Sequence, residues 1–165
     1  MSPEILTISG QIKSRLIYTD YFENFIIPAI INLPKNPKPH KRSGYLTIRR
    51  KSDGRILWVA EIGDCPQIKA KKYFEFSVEK GERLFHHPKH ISSWQSRDSE
   101  KGRWGGAIVA NELIISFSGL PELLDEAAVL AFAIFLRWIS PEQVEKIAKI
   151  SSNSHYASLK NSAHI

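Results

Sequence analysis

The sequence predicts an α/β domain of the α+β type, in which helices pack on a mostly antiparallel sheet built from two hairpins. Two β-rich segments, 44–62 and 107–117, each contain a turn signal near their centre. Two further segments, 66–87 and 121–138, have the length of helices and a proline at their start. The chain has 165 residues, of which 42% are hydrophobic, and this is enough for one domain with a core.

The chain before the first hairpin divides into a helical segment and a basic arm. Residues 4–18 fit a helix or a strand, whereas the apolar residues of 20–33 recur at helix period. Pro28 lies within that pattern and predicts a kink or two short helices. We interpret residues 1–34 as an N-terminal extension. Residues 35–43 continue a proline-rich stretch, which predicts a linker or surface arm.

The two hairpins are predicted from their turns. In segment 44–62, Asp53-Gly54 lies between two β-rich runs and supplies the positive φ of a tight turn. The second hairpin has its turn at Asn111-Glu112. The polar segment 91–103 precedes it, and we expect an irregular loop there.

The two helices differ in character. Apolar residues alternate in part of segment 66–87, as in a strand, but its length and Pro66 favour a helix. Segment 121–138 is apolar on nearly every side, so most of its circumference should be buried. In a domain of this size we expect it to pack against the sheet and a second subunit, which predicts a homo-oligomer.

The end of the chain predicts one more short helix and a tail. Ser140-Pro141-Glu142 has the pattern of a helix start, and the helix continues to Ile150. Residues 151–165 are rich in Ser, Asn and His, and we expect them to be flexible. The α/β domain is therefore placed at 44–150.

The single cysteine, Cys65, predicts a reducing compartment. It follows Asp64 at a predicted helix N-terminus, which would favour a thiolate, or it is a small buried residue in a turn. No secretion signal is recognisable, and the longest apolar run, Ala127 to Leu136, is about half of what a membrane span needs. These features predict a cytoplasmic protein without a membrane helix.

The net charge of +6 is concentrated in one segment. Residues 35–55 contain eight Lys and Arg and one Asp, and the rest of the chain is close to neutral. The alternative function is therefore a nucleic-acid or acidic-protein interaction module, with Tyr45 as a stacking residue. A solvated hairpin face and a flexible arm explain the same charge without a partner. The cations of this candidate surface are Lys38, Lys41, Arg42, Arg49, Arg50 and Arg55.

Short motifs in the second half of the chain carry a family resemblance. They are Ser77-Val-Glu-Lys-Gly81 leading to Pro88, Gly105-Gly106-Ala107, Ser118-Gly119 and Asp125-Glu126-Ala127. In this order, over about residues 44–138, they resemble the GlcG/HbpS family, which is also found as the C-terminal domain of PduO-type proteins. The resemblance implies a profilin-like α/β fold, symmetric oligomers and, in some members, functions linked to haem or cobalamin.

The densest titratable cluster is His86-His87-Pro88-Lys89-His90. Imidazoles ligate haem iron and divalent metals, but Pro88 interrupts the helix, so His86 and His90 need not share a face. Alternatively, these histidines decorate a helix C-terminus, where the dipole favours a cation. No second pair of ligands has zinc spacing, so no metal site is predicted.

The leading functional hypothesis is a small-ligand-binding module without catalysis, because no nucleophile–base pair or metal set is recognisable. Arg103 would bind a carboxylate or phosphate where Gly105-Gly106 lets the backbone approach, although paired glycines also serve close packing. Trp94 and Trp104 would wall the pocket or cap the core. The cofactor is left open, with haem supplied by the resemblance. The candidate ligand site comprises His86, His90, Trp94, Arg103, Trp104, Gly105 and Gly106.

The acidic residues Glu122, Asp125 and Glu126 lie near the start of the 121–138 helix. They are interpreted as partners of the helix dipole rather than as acid–base catalysts.

Overall fold

A computed structural model describes residues 17–163 of the chain. Its helices are a π-helical turn at Phe22–Ile26, α1 (Ile27–Ile31), α2 (Gln67–Phe85), α3 (Glu122–Phe135), α4 (Pro141–Ser151) and α5 (Ser154–Ala163). Its strands are β1 (Gly44–Arg50), β2 (Ile56–Ile62), β3 (Ala107–Ala110) and β4 (Leu113–Ser118). Two 3₁₀ turns, Ser93–Ser96 and Ser99–Lys101, lie in the loop between α2 and β3.

The four strands form one antiparallel sheet in the order β2-β1-β4-β3. Helix α2 packs on β1, β4 and β3, while α3 packs on β4 and β3 and also contacts α5, α4 and the N-terminal helical segment. The α+β class, the two hairpins and the two main helices are therefore confirmed. The ambiguous part of the N-terminus, 4–16, lies outside the described residues.

Ten consecutive residues of α3, Leu124–Ala133, are buried. The sheet, α4, α5 and the N-terminal helical segment supply this burial within one chain. The apolar circumference of α3 therefore no longer argues for a second subunit, and the homo-oligomer stays a prediction that needs another basis.

Two segments that the sequence assigned outside the domain belong to its core. Phe22, Ile26 and Ile30 are buried with the sheet residues, so the described part of the N-terminal extension completes the domain. The flexible tail expected at 151–165 is wrong over most of its length, because α5 is a helix and its Tyr156 and Leu159 are buried. Polar composition hid this helix, since only a few of its residues face the core.

The two proline-containing segments follow their predictions to different extents. Pro28 is the second residue of α1, and Ile26 and Ile27 at the junction with the π-helical turn have helical dihedrals. The hydrogen-bond pattern therefore changes before Pro28 while the helical path continues. Residues 35–43 contain turns but no helix or strand. At the other end of β1, Gly54 in the predicted turn has φ +74°, the conformation that favours glycine.

Candidate functional site

A groove lies between the C-terminal end of α2 and the loop before β3. Its volume is about 270 Å³, just below the ~300 Å³ at which ligand pockets usually begin. Two predicted site residues, His86 and Arg103, meet here although 17 positions separate them in sequence. The lining residues are Glu79, Glu82, Arg83, His86, His87 and Arg103.

Arg83 builds the wall of this groove. Its Nε donates to Glu79 at 2.7 Å, and one terminal nitrogen donates to Ser93 O at 2.8 Å and Ser96 Oγ at 2.6 Å. The other terminal nitrogen donates to Trp104 O and to Glu79. All five N–H groups of the guanidinium are thus used, so Arg83 positions the loop against α2 and has no donor left for a ligand.

Arg103 is the cation of the groove that has capacity for a ligand. Within residues 17–163 its backbone pairs with Asp98, while its guanidinium forms no hydrogen bond or ion pair. Glu79 is held by Arg83, and Glu82 lies 3.9 Å from His86 Nε2. The groove therefore combines one unengaged guanidinium with two imidazoles and two carboxylates, one of which is neutralised by Arg83. Arg103 is the group in it that suits a carboxylate or phosphate.

The structure does not bring His86 and His90 together at one site. His90 stacks on His87, with ring centroids 4.8 Å apart, whereas His86 lies in the groove beside Glu82. His87 Nδ1 donates to Arg83 O at 2.7 Å, and His90 Nδ1 is buried without a partner among the described residues. In that part of the chain, no three His, Cys, Asp or Glu side chains are grouped so as to hold a metal ion.

Trp94 and Trp104 enclose an arginine of the same chain. The guanidinium carbon of Arg97 lies 5.1 Å from one ring centroid and 5.6 Å from the other. Arg97 Nε also donates to Glu122 at 2.8 Å, and Glu122 accepts the backbone N–H of Gly105 at 2.9 Å. The predicted aromatic wall is therefore filled by Arg97. Sequence reasoning missed Arg97, although its position between two tryptophans was a signal, and it interpreted Glu122 only as a partner of the helix dipole.

Gly106 lies against a buried ion pair and not in the groove. Its φ is +121°, and a Cβ there would come within 2.8 Å of both Asp125 Cβ and Lys80 Nζ. Lys80 Nζ lies 2.8 Å from Asp125 Oδ2 and donates to Phe117 O at 3.0 Å. The close-packing interpretation of the paired glycines is the one that applies at Gly106.

The Lys80–Asp125 pair is almost fully removed from solvent, with 2% of each side chain exposed. Asp125 Oδ1 accepts the backbone N–H of Leu120 at 2.9 Å. Burial raises the pKa of Asp125 to about 6, against Lys80 and the Leu120 N–H, which lower it. Both partners are held by backbone groups as well as by each other, so the pair joins α2, β4 and α3.

Glu126, the next residue of α3, is buried without a cation. It accepts hydrogen bonds from Ser92 Oγ at 2.6 Å, from Asn153 Nδ2 at 3.0 Å and from Ser151 Oγ. Burial raises its pKa, and these three donors lower it. The main role of Asp125 and Glu126 is therefore to connect α3 to neighbouring segments, and each connects it to different ones. Their interpretation as partners of the helix dipole missed this role.

The basic segment does not form one continuous surface. Arg49 is buried and donates to Gly54 O at 2.6 Å and to Val78 O at 3.2 Å, which removes it from any candidate interface. Arg50 lies 3.4 Å from Asp53. Sequence reasoning placed Arg49 on a strand face but could not show that α2 covers that face.

The arm lysines lie near the start of α2. Lys41 Nζ is 5.9 Å from the ring centroid of Tyr73, on the helix that also carries Lys69 and Lys72. Burial lowers the pKa of Lys41, as do Lys38, Lys69 and Lys72, while Asp125 raises it. Lys38 and Arg42 are exposed, as is Arg55 on the hairpin. Lys38, Lys69 and Lys72 therefore lie close enough to act on the charge of Lys41, and these four residues are called the lysine cluster below.

Cys65 is half-buried, and its Sγ donates to Gly44 O at 3.5 Å. Burial raises the pKa of the thiol to about 11. The buried-turn interpretation therefore applies, because a thiolate would be disfavoured at neutral pH.

A larger open groove of about 600 Å³ lies between α4 and α5 and contains none of the predicted site residues.

Comparison with protein-family models, curated proteins and solved structures finds no match to this chain. Between residues 17 and 163, no helix combines the length and the apolar character that a membrane span requires.

Proposed function

We propose that this protein is a non-enzymatic binding module for a small anionic ligand, held in the groove at the C-terminal end of α2. The observation that carries the proposal is the unengaged guanidinium of Arg103 beside His86 and His87. A carboxylate or phosphate would accept from this guanidinium in two parallel hydrogen bonds. Arg83 keeps the loop that carries Arg103 in place without competing for the ligand.

The groove does not fit haem, the ligand that the family resemblance suggests. The six lining residues are all charged or titratable, and only the aliphatic and ring parts of their side chains supply apolar surface. The groove is also smaller than the usual ligand pocket, which favours a compact ion over a porphyrin. These two properties support a small anion as the ligand class.

The experiment is a titration followed by amide NMR shifts, with inorganic phosphate, succinate and haemin as separate probes. We expect saturable shifts confined to the α2 C-terminus and the 97–104 loop with phosphate or succinate. Arg103→Gln should weaken this binding at least tenfold, while Arg55→Gln, on an exposed cation elsewhere, should leave it unchanged. Binding of haemin with a His86-dependent Soret shift, or no groove shifts with either anion, would overturn the proposal.

A second candidate function is binding of nucleic acid through the lysine cluster. It is favoured by the gathering of Lys38, Lys41, Lys69 and Lys72 from two separate segments. Such binding should weaken steeply between 50 and 200 mM salt, as expected when phosphate contacts release counterions, roughly tenfold or more for a few contacts. A gel shift of single-stranded DNA with Lys69→Gln/Lys72→Gln tests it, and salt-independent or absent binding rules it out.

A further inference from the structure

The two edge strands of the sheet differ in length and in how many hydrogen bonds the described chain makes to them. At the β3 edge, Val109 N donates to Ile91 O at 2.9 Å, and Ser92 forms an antiparallel bridge with Ile108. That edge strand has only four residues. Strand β2 has seven residues and, within the described chain, pairs only with β1. Among residues 17–163, one edge is therefore short and covered, and the other is long and open.

The open edge lacks most features that keep strands from pairing. Strand β2 reads Ile-Leu-Trp-Val-Ala-Glu-Ile, with no lysine or proline and with Glu61 as its single charge. Lysine, proline, short length and bulges are the usual protections of an edge strand. The register shift opposite Ile48 and Arg49 disturbs only the turn end of β2, and Trp58 to Ile62 pair regularly with β1.

We propose that β2 pairs with β2 of a second copy of this chain, in antiparallel orientation about a two-fold axis, to give one continuous eight-stranded sheet. An edge strand presents unpaired N–H and C=O groups, and an antiparallel copy of the same strand satisfies them reciprocally. If Ala60 lies on the axis, Glu61 faces Val59 of the other copy, so no like charges oppose one another. The sequence predicted an oligomer from α3, but this interface uses a different surface.

Val59 is the position at which to test the pairing. It is partly exposed, and it packs against neither of the two buried hydrophobic clusters of the chain. In the register above, a glutamate there lies opposite Glu61 of the other copy, so like charges repel at two symmetric places while the core stays filled. Ile150 on α4 is 37% exposed, and α4 packs on α3 and on the loop before β3, so Ile150→Glu is a matched control.

The measurement is molar mass by light scattering and sedimentation over a hundredfold range of concentration, with hydrogen exchange of the β2 amides. We expect the wild type to form a dimer, with β2 amides that lose protection on dilution. Val59→Glu should weaken dimerisation at least tenfold, whereas Val59→Thr and Ile150→Glu should not. Circular dichroism of each variant shows that the fold is retained.

Three outcomes would overturn the proposal. One is a monomer at every concentration with unprotected β2 amides, and another is a dimer that Val59→Glu leaves intact. The third is a monomer whose β2 amides are protected, which would show that the chain covers this edge itself. None of them bears on the anion groove, because that groove lies at the C-terminal end of α2.

Discussion

Asp125 and Glu126 are neighbours in sequence, but they occupy two different kinds of buried site. Consecutive side chains on a helix are turned by about 100°, so α3 directs one towards α2 and β4 and the other towards the loop before β3 and the end of α4. Asp125 meets a lysine, whereas Glu126 meets three neutral donors. Both have raised pKa values because burial disfavours the ionised form.

The two environments predict how stability responds when each carboxylate or its partner is substituted. An ion pair excluded from water depends on both partners, because removing one leaves an uncompensated charge. Hydroxyl and amide partners do not require a charged group at this position. A hydroxyl can rotate from donating to a carboxylate to accepting from a protonated or amide side chain. The Asp125 site should therefore be sensitive to substitution, and the Glu126 site tolerant of it.

The largest effect should come from Lys80→Met. It leaves Asp125 buried without its cation, and we expect the free energy of unfolding at pH 7.5 to fall by about 3–5 kcal/mol, measured by urea denaturation. The loss should be smaller at pH 5, where Asp125 can protonate. Adding Asp125→Asn should restore part of the stability, because the unpaired charge is then gone. A loss below about 1 kcal/mol for Lys80→Met would contradict the role of the pair.

An effect of intermediate size is expected at Glu126, on the pH dependence of the free energy of unfolding. Its folded pKa and that of Asp125 lie above their unfolded values, so the native state binds more protons between about pH 4 and 6. Their contribution to stability is full below the unfolded pKa values and is lost as pH rises through the folded ones. Glu126→Gln should therefore flatten the decline of unfolding free energy from pH 4.5 to 7, at a cost of about 1 kcal/mol or less.

The control for this experiment is Glu112→Gln, which changes an exposed glutamate. It should leave the pH dependence as in the wild type. If Glu126→Gln had the same slope as the wild type, or cost as much as Lys80→Met, the two carboxylates would not differ in the way described.

The smallest effect should come from the third carboxylate of α3, Glu122, which is paired with Arg97 near the surface. Arg97→Met removes this ion pair and two cation–π contacts of a partly exposed side chain, and we expect a loss of about 0.5 kcal/mol in urea denaturation. Tryptophan emission should also shift, since Trp94 and Trp104 lose the guanidinium between them. A loss as large as that of Lys80→Met would show that this surface cluster matters as much as the buried pair.

Local patterns were sufficient for most of the secondary structure. Asp53-Gly54 marked the first hairpin, Pro66 the start of α2, and Ser140-Pro141 the start of α4, where Ser140 accepts the backbone N–H of Gln143. Helix α5 was missed, because a helix with few buried residues has little apolar periodicity. These signals all act within a few residues, which is why the sequence carries them.

The candidate site was only partly predictable, because it depends on contacts between segments that are distant in sequence. His86 and Arg103, named together from the sequence, line one groove, yet the sequence could not separate them from His90, Trp94, Trp104 and Gly106, which make other contacts. Arg83 was missed because its five hydrogen bonds depend on how the loop folds back onto α2. Which polar side chains have partners is a property of long-range packing.

The sequence by itself determined the order of hairpins and helices, the basic segment and the strongly apolar α3, because turn residues and hydrophobic period act locally. The tertiary structure decided which charges are buried, paired or left for a ligand. Arg49 and Arg103 show the difference: both are arginines near predicted strands, but α2 covers the first, and the groove leaves the guanidinium of the second unengaged. Burial and partner choice arise only when distant segments pack together, and these decide what a charged side chain can do.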